Sequence, residues 1–249
     1  MTAINYYLVY MSPNGSTGQV ADVLAAQLEA GGASVDRLDL AGPADDDAFI
    51  DGLWSTESGW AVPFVTWGLA CSGVALWQMG GALEAKGYRM AGAARVAALH
   101  SMTWPADDPV GEGHPDEADK QPVRDLADRL LADGRNGTFT ALPLDTLDYQ
   151  LDERAAEFKA KLDQPWMVIP KTVNAETCTQ CGECEEACPM AAVSLDPYPV
   201  FSTACFDCFN CVRVCPEEAI EPRVPLAKIE EMIRGRVATI NEQPLTEIY

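Results

Sequence analysis

The sequence predicts two domains, an α/β domain built on a parallel sheet and a small cysteine-rich domain that follows it. The chain has 249 residues, more than the roughly 100–150 residues of a common single domain. Short apolar runs alternate with amphipathic segments over the first half, as expected for a parallel sheet covered by helices. All but one of the nine cysteines lie between Cys178 and Cys215, so the two parts differ sharply in composition.

The first predicted unit is a strand, a loop and a helix. Residues 6–10 form a short apolar run rich in β-formers. The helix that follows ends at Gly31 and Gly32, and Ser16 or Thr17 is expected to cap its N-terminus. Its apolar face consists of Val20, Val23, Leu24 and Leu28. The intervening loop offers hydroxyl and N–H groups at a positive helix end, which suits a phosphate, although ordinary β–α turns have a similar composition.

The same alternation continues to about residue 132. Further strands are expected at residues 35–40, 61–67 and 96–99, and helices at residues 74–86 and 123–132. Ligands of such sheets bind beyond the carboxyl ends of the strands. The segments SPNGST, TWGLACSG and HSMTW all fall there, so three loops are expected to meet at one edge of the sheet.

The cysteine-rich part contains one spacing pattern twice. C-x2-C-x2-C-x3-C-P is formed first by Cys178, Cys181, Cys184, Cys188 and Pro189, and again by Cys205, Cys208, Cys211, Cys215 and Pro216. In this pattern three thiolates hold one iron–sulfur cubane and the fourth ligates the other cubane. One [4Fe-4S] cluster is then held by Cys178, Cys181, Cys184 and Cys215, and the second by Cys205, Cys208, Cys211 and Cys188.

Two other uses of dense cysteine, structural zinc sites and disulfides, fit this sequence less well than iron–sulfur clusters. Structural zinc sites also use C-x2-C pairs, but they space two pairs well apart. Disulfides are disfavoured in a reducing compartment, where thiols stay free for metal. Phe206 and Phe209 lie inside the second triplet and are expected to shield the cluster from water.

Both parts resemble known families. Residues 165–223 resemble the bacterial eight-iron ferredoxin module, which implies the eight cysteine ligands named above. The front resembles the flavodoxin-like part of the flavodoxin–ferredoxin fusions often called EFR-type ferredoxins. The matching positions are Ser12, Pro13, Asn14, Gly15, Ser16 and Thr17 for SPTGTT; Thr66, Trp67 and Gly68 for TYG; Gly73 to Leu76 for G-x-AL; Leu99, His100 and Ser101 for EHS; and Gly113, His114, Pro115 and Asp116 for GRPD. Asn14 stands where that first loop has threonine.

This resemblance implies FMN in the front domain. Its phosphate would lie in the loop of residues 12–17, and Trp67 would stack on the isoalloxazine ring. His100 and Ser101 would belong to the same site. A flavodoxin fold usually has another strand before residue 61, however, and GPADDDAFIDGLWSTESGW contains no convincing apolar run. Either Trp54 and Trp60 replace the contacts of the missing loop, or the flavin site is reduced or lost.

The expected fold is thus a flavodoxin-like parallel sheet, one strand short, followed by a small α+β two-[4Fe-4S] ferredoxin domain. The expected boundaries are 1–135 for the flavodoxin-like domain, 136–164 for a connection with a helix, 165–224 for the ferredoxin domain, and 225–249 for a C-terminal helix and tail. That last helix is expected to pack back on one of the domains.

The charge of the chain limits the classes of partner that it can bind, and its hydropathy indicates where in the cell it lies. The formal charge is −21, from 38 acidic and 17 basic residues, which repels nucleic acid and suits a redox protein with a basic docking face. No basic segment precedes the first apolar run, and no apolar run approaches the ~20 residues of a membrane span. A cytoplasmic location is therefore expected.

The expected function is single-electron transfer through two clusters, to or from FMN and on to a partner redox enzyme. Two alternatives stay open. One is a flavin-dependent reductase of a small organic substrate, which needs a proton donor such as His100. The other is a ferredoxin whose front domain has lost FMN and only docks partners. No catalytic residue is assigned from the sequence.

Overall fold

A computed structural model describes residues 4–40, 53–162, 164 and 168–249, which form a mixed α/β protein. The strands are β1 (Asn5–Tyr10), β2 (Ser34–Asp39), β3 (Trp60–Ala61), β4 (Phe64–Trp67), β5 (Arg89–Met90), β6 (Ala94–Ala97), β7 (Lys171–Val173), β8 (Val193–Leu195), β9 (Pro199–Phe201), β10 (Ile220–Pro222) and β11 (Glu247–Ile248). The helices are α1 (Ser16–Ala30), α2 (Ala75–Ala85), α3 (Glu117–Asn136), α4 (Asp152–Lys159), α5 (Glu183–Glu186), α6 (Asn210–Arg213) and α7 (Leu226–Ile240). Short 3-10 turns cover Ser101–Thr103 and Leu144–Leu147.

The front of the chain contains parallel strand pairs, but they do not form the single parallel sheet that the sequence predicts. β1 pairs with β2, β3 with β5, and β4 with β6, all in parallel, whereas β11 joins β6 antiparallel. No ladder joins β1 to β4 among the described residues. The strand expected at residues 61–67 is interrupted before Phe64, because Pro63 has no N–H group to contribute to a ladder. The sheets are therefore small and mixed.

The region of the missing strand is described in part. Residues 41–52 lie outside the described residues, and residues 53–59 contain no strand. The two tryptophans proposed as substitutes contact other partners. Trp54 meets Tyr7 edge to face at 5.7 Å, and Trp60 lies 5.1 Å from Phe139 with the Arg89 guanidinium 4.1 Å from its ring. Neither contact involves the three predicted loops.

The main core of the front lies between α1 and α3. Val20, Leu24 and Leu28 are buried as predicted, and Leu126 and Leu130 of α3 belong to the same cluster. α1 begins at Ser16, so its N-cap is Gly15, which has a φ of 87° and no side chain to cap the helix. The predicted cap by Ser16 or Thr17 is therefore wrong. α3 begins six residues before the predicted position 123 because Asp116 and Asp119 form a capping box ahead of its apolar face.

The C-terminal segment packs against both parts of the chain. Ile229 and Ile233 of α7 share a core with Val110 of the front and Phe209 of the cysteine-rich part. β11 then adds an antiparallel edge to β6. The expected return of α7 is thus confirmed, but it covers both neighbours rather than one.

The cysteine-rich part is an internal duplication of one strand–helix–strand unit, β7–α5–β8 followed by β9–α6–β10. β7 pairs antiparallel with β10, and β8 pairs antiparallel with β9. Left-handed residues recur at equivalent places, with φ 57° at Gln180 and 60° at Asp207, and 46° at Ala191 and 48° at Glu218.

Among the described residues, no helix combines the length and apolar composition needed to cross a membrane.

Candidate metal centre

The first group of cysteines lines a small closed cleft. Its walls include four sulfur-bearing residues, Cys178, Cys181, Cys184 and Cys215. Leu195, Pro199 and Ile220 complete the apolar wall. Cys184 is buried whereas Cys181 is exposed, so one edge of this group reaches the surface. Cys215 comes from the second sequence run, which is the crossing that the spacing predicts.

The second group combines the three cysteines of the second triplet with Cys188 from the first run. Cys211 is buried and lies within electrostatic range of Cys205, Cys208 and Cys188. Burial raises the pKa of the Cys211 thiol to about 12, although the nearby Lys171 cation opposes that rise. Burial also raises the pKa values of Cys184 and Cys208. Buried thiols of this kind ionise when a metal supplies positive charge, so both groups suit metal ligation.

Backbone N–H groups support the crossing cysteines in both halves. The amide of Ala192 donates to Cys188 Sγ at 3.1 Å, and the amide of Ala219 donates to Cys215 Sγ at 3.2 Å. These two bonds occupy equivalent positions in the duplication. Each stabilises sulfur in its anionic, metal-binding form.

The sulfurs of the two cysteine groups are not as close together as the ligands of one bound zinc ion. Tetrahedral zinc with Zn–S bonds of about 2.3 Å holds its sulfurs about 3.8 Å apart. Throughout the described part of the chain, no three cysteine sulfurs lie within 4.8 Å of one another. All nine cysteines are free of disulfides. Neither group of cysteines is therefore arranged as a formed tetrahedral zinc site.

One compact trio of possible ligands is already satisfied by protein. His114, Asp116 and Asp119 bring ligand atoms within 4.8 Å. Asp119 accepts from the Asp116 amide and from Thr246 Oγ1, and its carboxylate pairs with His114 Nδ1. These bonds form the start of α3 and its contact with the C-terminal segment, so the trio is explained as structure.

The three loops predicted to meet at the edge of the front sheet do meet. Thr17 Oγ1 and Thr66 Oγ1 lie 2.8 Å apart. A Cβ on Gly68 would come within 2.7 Å of His100 Cα, so only glycine fits this approach. We call these segments, residues 12–17, 66–70 and 100–104, the rim.

Within the rim, the first loop has a form that suits a phosphate. Gly15 turns the chain into α1 without a side-chain cap, and Ser12 Oγ accepts from the Gly18 amide at 2.7 Å. Asn14 is half-buried in the turn, and Ser16 is buried at the first turn of the helix. The Ser12 hydroxyl and the positive end of α1 therefore lie together at this point, as they do in a phosphate-binding turn.

Trp67 does not take the position expected of a flavin-stacking residue. Its side chain is buried, and its indole Nε1 donates to the Leu245 carbonyl oxygen at 2.8 Å. The Arg95 guanidinium lies 5.3 Å from its ring centroid. Because the C-terminal segment and a buried arginine already cover the ring, the stacking expectation is corrected to a core role.

His100 and Ser101 lie at the rim in a 3-10 turn. His100 donates its amide to Val110 and accepts at Nδ1 from the Met102 amide at 3.4 Å. Burial lowers the pKa of His100 to about 4. The imidazole is therefore neutral near pH 7 and a weak candidate for proton donation.

The cysteine-rich part covers the rim. Phe209 and Trp104 lie 6.4 Å apart between ring centroids, and the Asn210 side-chain amide donates to the Pro13 carbonyl. Leu69 and Met102 pack into the same core as Phe209. A phosphate fits the first loop, but the flavin ring does not fit here, because Trp67 is covered and the remaining rim is packed with protein.

An open cleft of about 540 Å³ lies beside the rim. Its walls include Leu69, Pro109, Gly111, His114 and Arg234. Of the ten residues that the sequence assigns to FMN, none is among its lining residues. The cleft therefore does not replace the predicted flavin site.

Sequence reasoning missed a buried ion pair beside the second cysteine group. Lys171 Nζ lies 2.7 Å from Asp207 Oδ1 and 3.6 Å from Cys205 Sγ. No periodic pattern connects these residues, which are 36 positions apart. The available signal is weaker, namely an acidic residue inside the second triplet where the first triplet has Gln180.

Comparison with known families agrees with the cysteine geometry. Residues 170–216 match the family model of a 4Fe-4S dicluster domain. A search of curated proteins found no match to the chain. The cysteine-rich part is thus a ferredoxin-type 4Fe-4S domain. Its presence supports iron–sulfur electron transfer by this chain.

Proposed function

We propose that this chain is an electron-transfer protein that carries single electrons through two [4Fe-4S] clusters. One cluster would be held by Cys178, Cys181, Cys184 and Cys215, and the other by Cys188, Cys205, Cys208 and Cys211. The observation that carries the proposal is the cleft in which Cys215 joins the cysteines of the first run. Such clusters accept and release one electron at a time.

The two clusters would have different neighbours. Cys181 exposes the first cluster at the surface, beside Glu183 of α5 and Glu217 of the same cleft. The second cluster lies behind Phe209 and Asn210, which contact the rim. Electrons would enter or leave at the first cluster, and the second would face the front domain.

The partner at the first cluster would be a redox protein with a basic docking face. Residues 172–212 contain no Lys, Arg or His, and α5 carries Glu183, Glu185 and Glu186 in its first turn. Opposite charge on a partner would steer its approach and orient it towards the exposed cluster edge. The dense free cysteines also suit the reducing cytoplasm.

FMN in a flavodoxin-like front domain is the finer form of this proposal. What supports it is the meeting of the three loops at the rim and the phosphate-like form of the first loop. The covered ring of Trp67 opposes it.

A second candidate is a ferredoxin whose front domain only docks partners. The packing of Phe209, Ile229 and Ile233 against the rim favours it. The third candidate, a flavin-dependent reductase of an organic substrate, is disfavoured because His100 is half-buried and desolvation lowers its pKa to about 4.

Cofactor analysis of protein purified without oxygen tests these proposals. Two cubanes require about eight irons and as much acid-labile sulfide per chain. Zinc in place of iron would overturn the electron-transfer proposal. Flavin released by acid would support the FMN form, whereas iron without flavin would leave the docking form.

A further inference from the structure

Lys171 and Asp207 form a fully enclosed ion pair beside one cysteine ligand. Both side chains are only 1% exposed. Lys171 Nζ lies 3.6 Å from Cys205 Sγ, and the amide of Asp207 donates to the same sulfur at 3.4 Å. Asp207 Oδ1 lies slightly farther from that sulfur, at 3.9 Å. The N–H donors are thus the atoms of this pair closest to the sulfur.

The surroundings hold the ammonium group in place. Lys171 Nζ also donates to the Ile169 carbonyl at 3.1 Å, and the Ile169 amide donates to Asp207 Oδ2 at 2.9 Å. The rings of Phe201 and Phe209 lie 5.9 Å and 4.9 Å from Nζ. Water is excluded and the donors are fixed, so the pair acts on the sulfur through a weakly screened medium.

The internal duplication supplies a comparison within the same molecule. The second cysteine run lies 27 positions after the first. At that offset Asp207 corresponds to Gln180, with nearly the same left-handed φ, and Lys171 corresponds to Tyr198. Gln180 is exposed and uncharged. The first cysteine group therefore has no equivalent buried ion pair at these two positions.

We propose that Lys171, held by Asp207, raises the reduction potential of the cluster ligated by Cys188, Cys205, Cys208 and Cys211 above that of the other cluster. The inference rests on the proposed function. Reduction adds one electron to the cluster from an external one-electron donor, and no bond forms or breaks. Because added negative charge is stabilised by a nearby cation and by N–H donors to sulfur, the paired cluster accepts the electron first.

This difference gives the chain a direction of transfer. The cluster with the higher potential is the one that faces the rim, and the surface-exposed cluster is the weaker acceptor. An electron that enters at Cys181 would move inward and rest beside Phe209. Lys171 and Asp207 are positioning residues, since neither is a cluster ligand.

The test is a redox titration with dithionite, followed by electron paramagnetic resonance. The wild type is expected to show two separate one-electron steps. Lys171→Met should lower only one step, with at least a tenfold change in its reduction equilibrium constant, which equals about 59 mV. Lys171→Arg should retain most of the wild-type separation. Lys228→Gln, in an exposed pair with Glu231 on α7, is the matched control and should change neither step.

A second variant keeps the test decisive if Lys171→Met loses iron. Lys171→Tyr combined with Asp207→Gln gives the second cluster the residues of the first and leaves no buried charge unpaired. Its two steps should move together while the iron content stays at the wild-type level. Unchanged steps in this double variant, or superimposed steps in the wild type, would overturn the inference. Wild-type protein without iron would instead defeat the proposed function.

Discussion

Asn210, which begins α6 between Cys208 and Cys211, donates its side-chain amide to the carbonyl oxygen of Pro13 in the loop after β1. The side-chain oxygen of Asn210, Oδ1, accepts a hydrogen bond from the Arg213 guanidinium at 2.9 Å. One buried side chain therefore links the predicted cluster loop to the predicted phosphate loop, which are far apart in sequence.

Asn210→Ala should weaken this link. The change leaves the Pro13 carbonyl without its donor in a covered interface, and an unsatisfied buried group costs about 1–3 kcal/mol. Urea unfolding of the iron-loaded protein measures the loss in the free energy of unfolding. Gln121→Ala removes an amide from an exposed pair with Asp125 and should cost far less. Equal effects of the two changes would show that the Asn210 contact does not join the domains.

Cys215→Ala should remove iron from the cluster of the first run, although Cys215 belongs to the second. The structure predicts this because Cys215 lines the cleft of Cys178, Cys181 and Cys184. Iron should fall from about eight to about four per chain or lower. Cys71→Ala, which changes the cysteine outside both runs, should leave iron unchanged. Full iron content in Cys215→Ala would contradict the crossed arrangement.

Arg95→Ala should strongly destabilise the front domain. The guanidinium is 1% exposed, pairs with Glu242, and lies 2.9 Å from Glu247. Removing one member of a buried pair leaves charge uncompensated and costs about 3–5 kcal/mol. Tryptophan fluorescence during urea unfolding measures the change.

The surface pair of Arg37 and Asp22 provides the comparison for Arg95. The Asp22 side chain is 65% exposed, so Arg37→Ala should lower the free energy of unfolding by about 1 kcal/mol or less. If both arginine variants unfold at the same urea concentration, the C-terminal segment is not held by Arg95 as the structure indicates.

Stability should rise with pH through the titration window of His100. Its folded pKa is about 4 and its unfolded pKa 6.5, so the unfolded chain binds more protons between these values. The neutral imidazole is favoured by folding, and its contribution is lost as pH falls from 6.5 towards 4. The full effect is at most about 3 kcal/mol.

His100→Gln should remove that part of the pH dependence. Urea unfolding of wild type and variant at pH 7, 6 and 5 gives the comparison, and the difference between them should change across this range. A constant difference at all three pH values would mean that folding does not favour the neutral form of His100.

The sequence predicts the cysteine chemistry well because the relevant information is local. Three predicted ligands of each cluster lie within seven positions, and the predicted fourth ligand is the last cysteine of the other run, whose spacing within that run is equally regular. The apolar face of α1 is local in the same way, and Val20, Leu24 and Leu28 are buried as predicted. Features that depend only on short spacing or on the helical period could therefore be predicted from the sequence.

The misassigned features depend on distant parts of the chain. The orientation of Trp67 is fixed by Leu245 and Arg95, which no pattern around residue 67 reveals. β11 pairs with β6 through only Glu247 and Ile248, too short a run to be recognised as a strand. The pair of Lys171 and Asp207 likewise forms only when β7 lies against the second cysteine loop.

Metal and sulfide analysis of the anaerobically purified wild-type chain tests the central claim most directly. The account predicts about eight irons and about eight acid-labile sulfides per chain, with little zinc. Colourless protein, or zinc bound in place of iron, would contradict it.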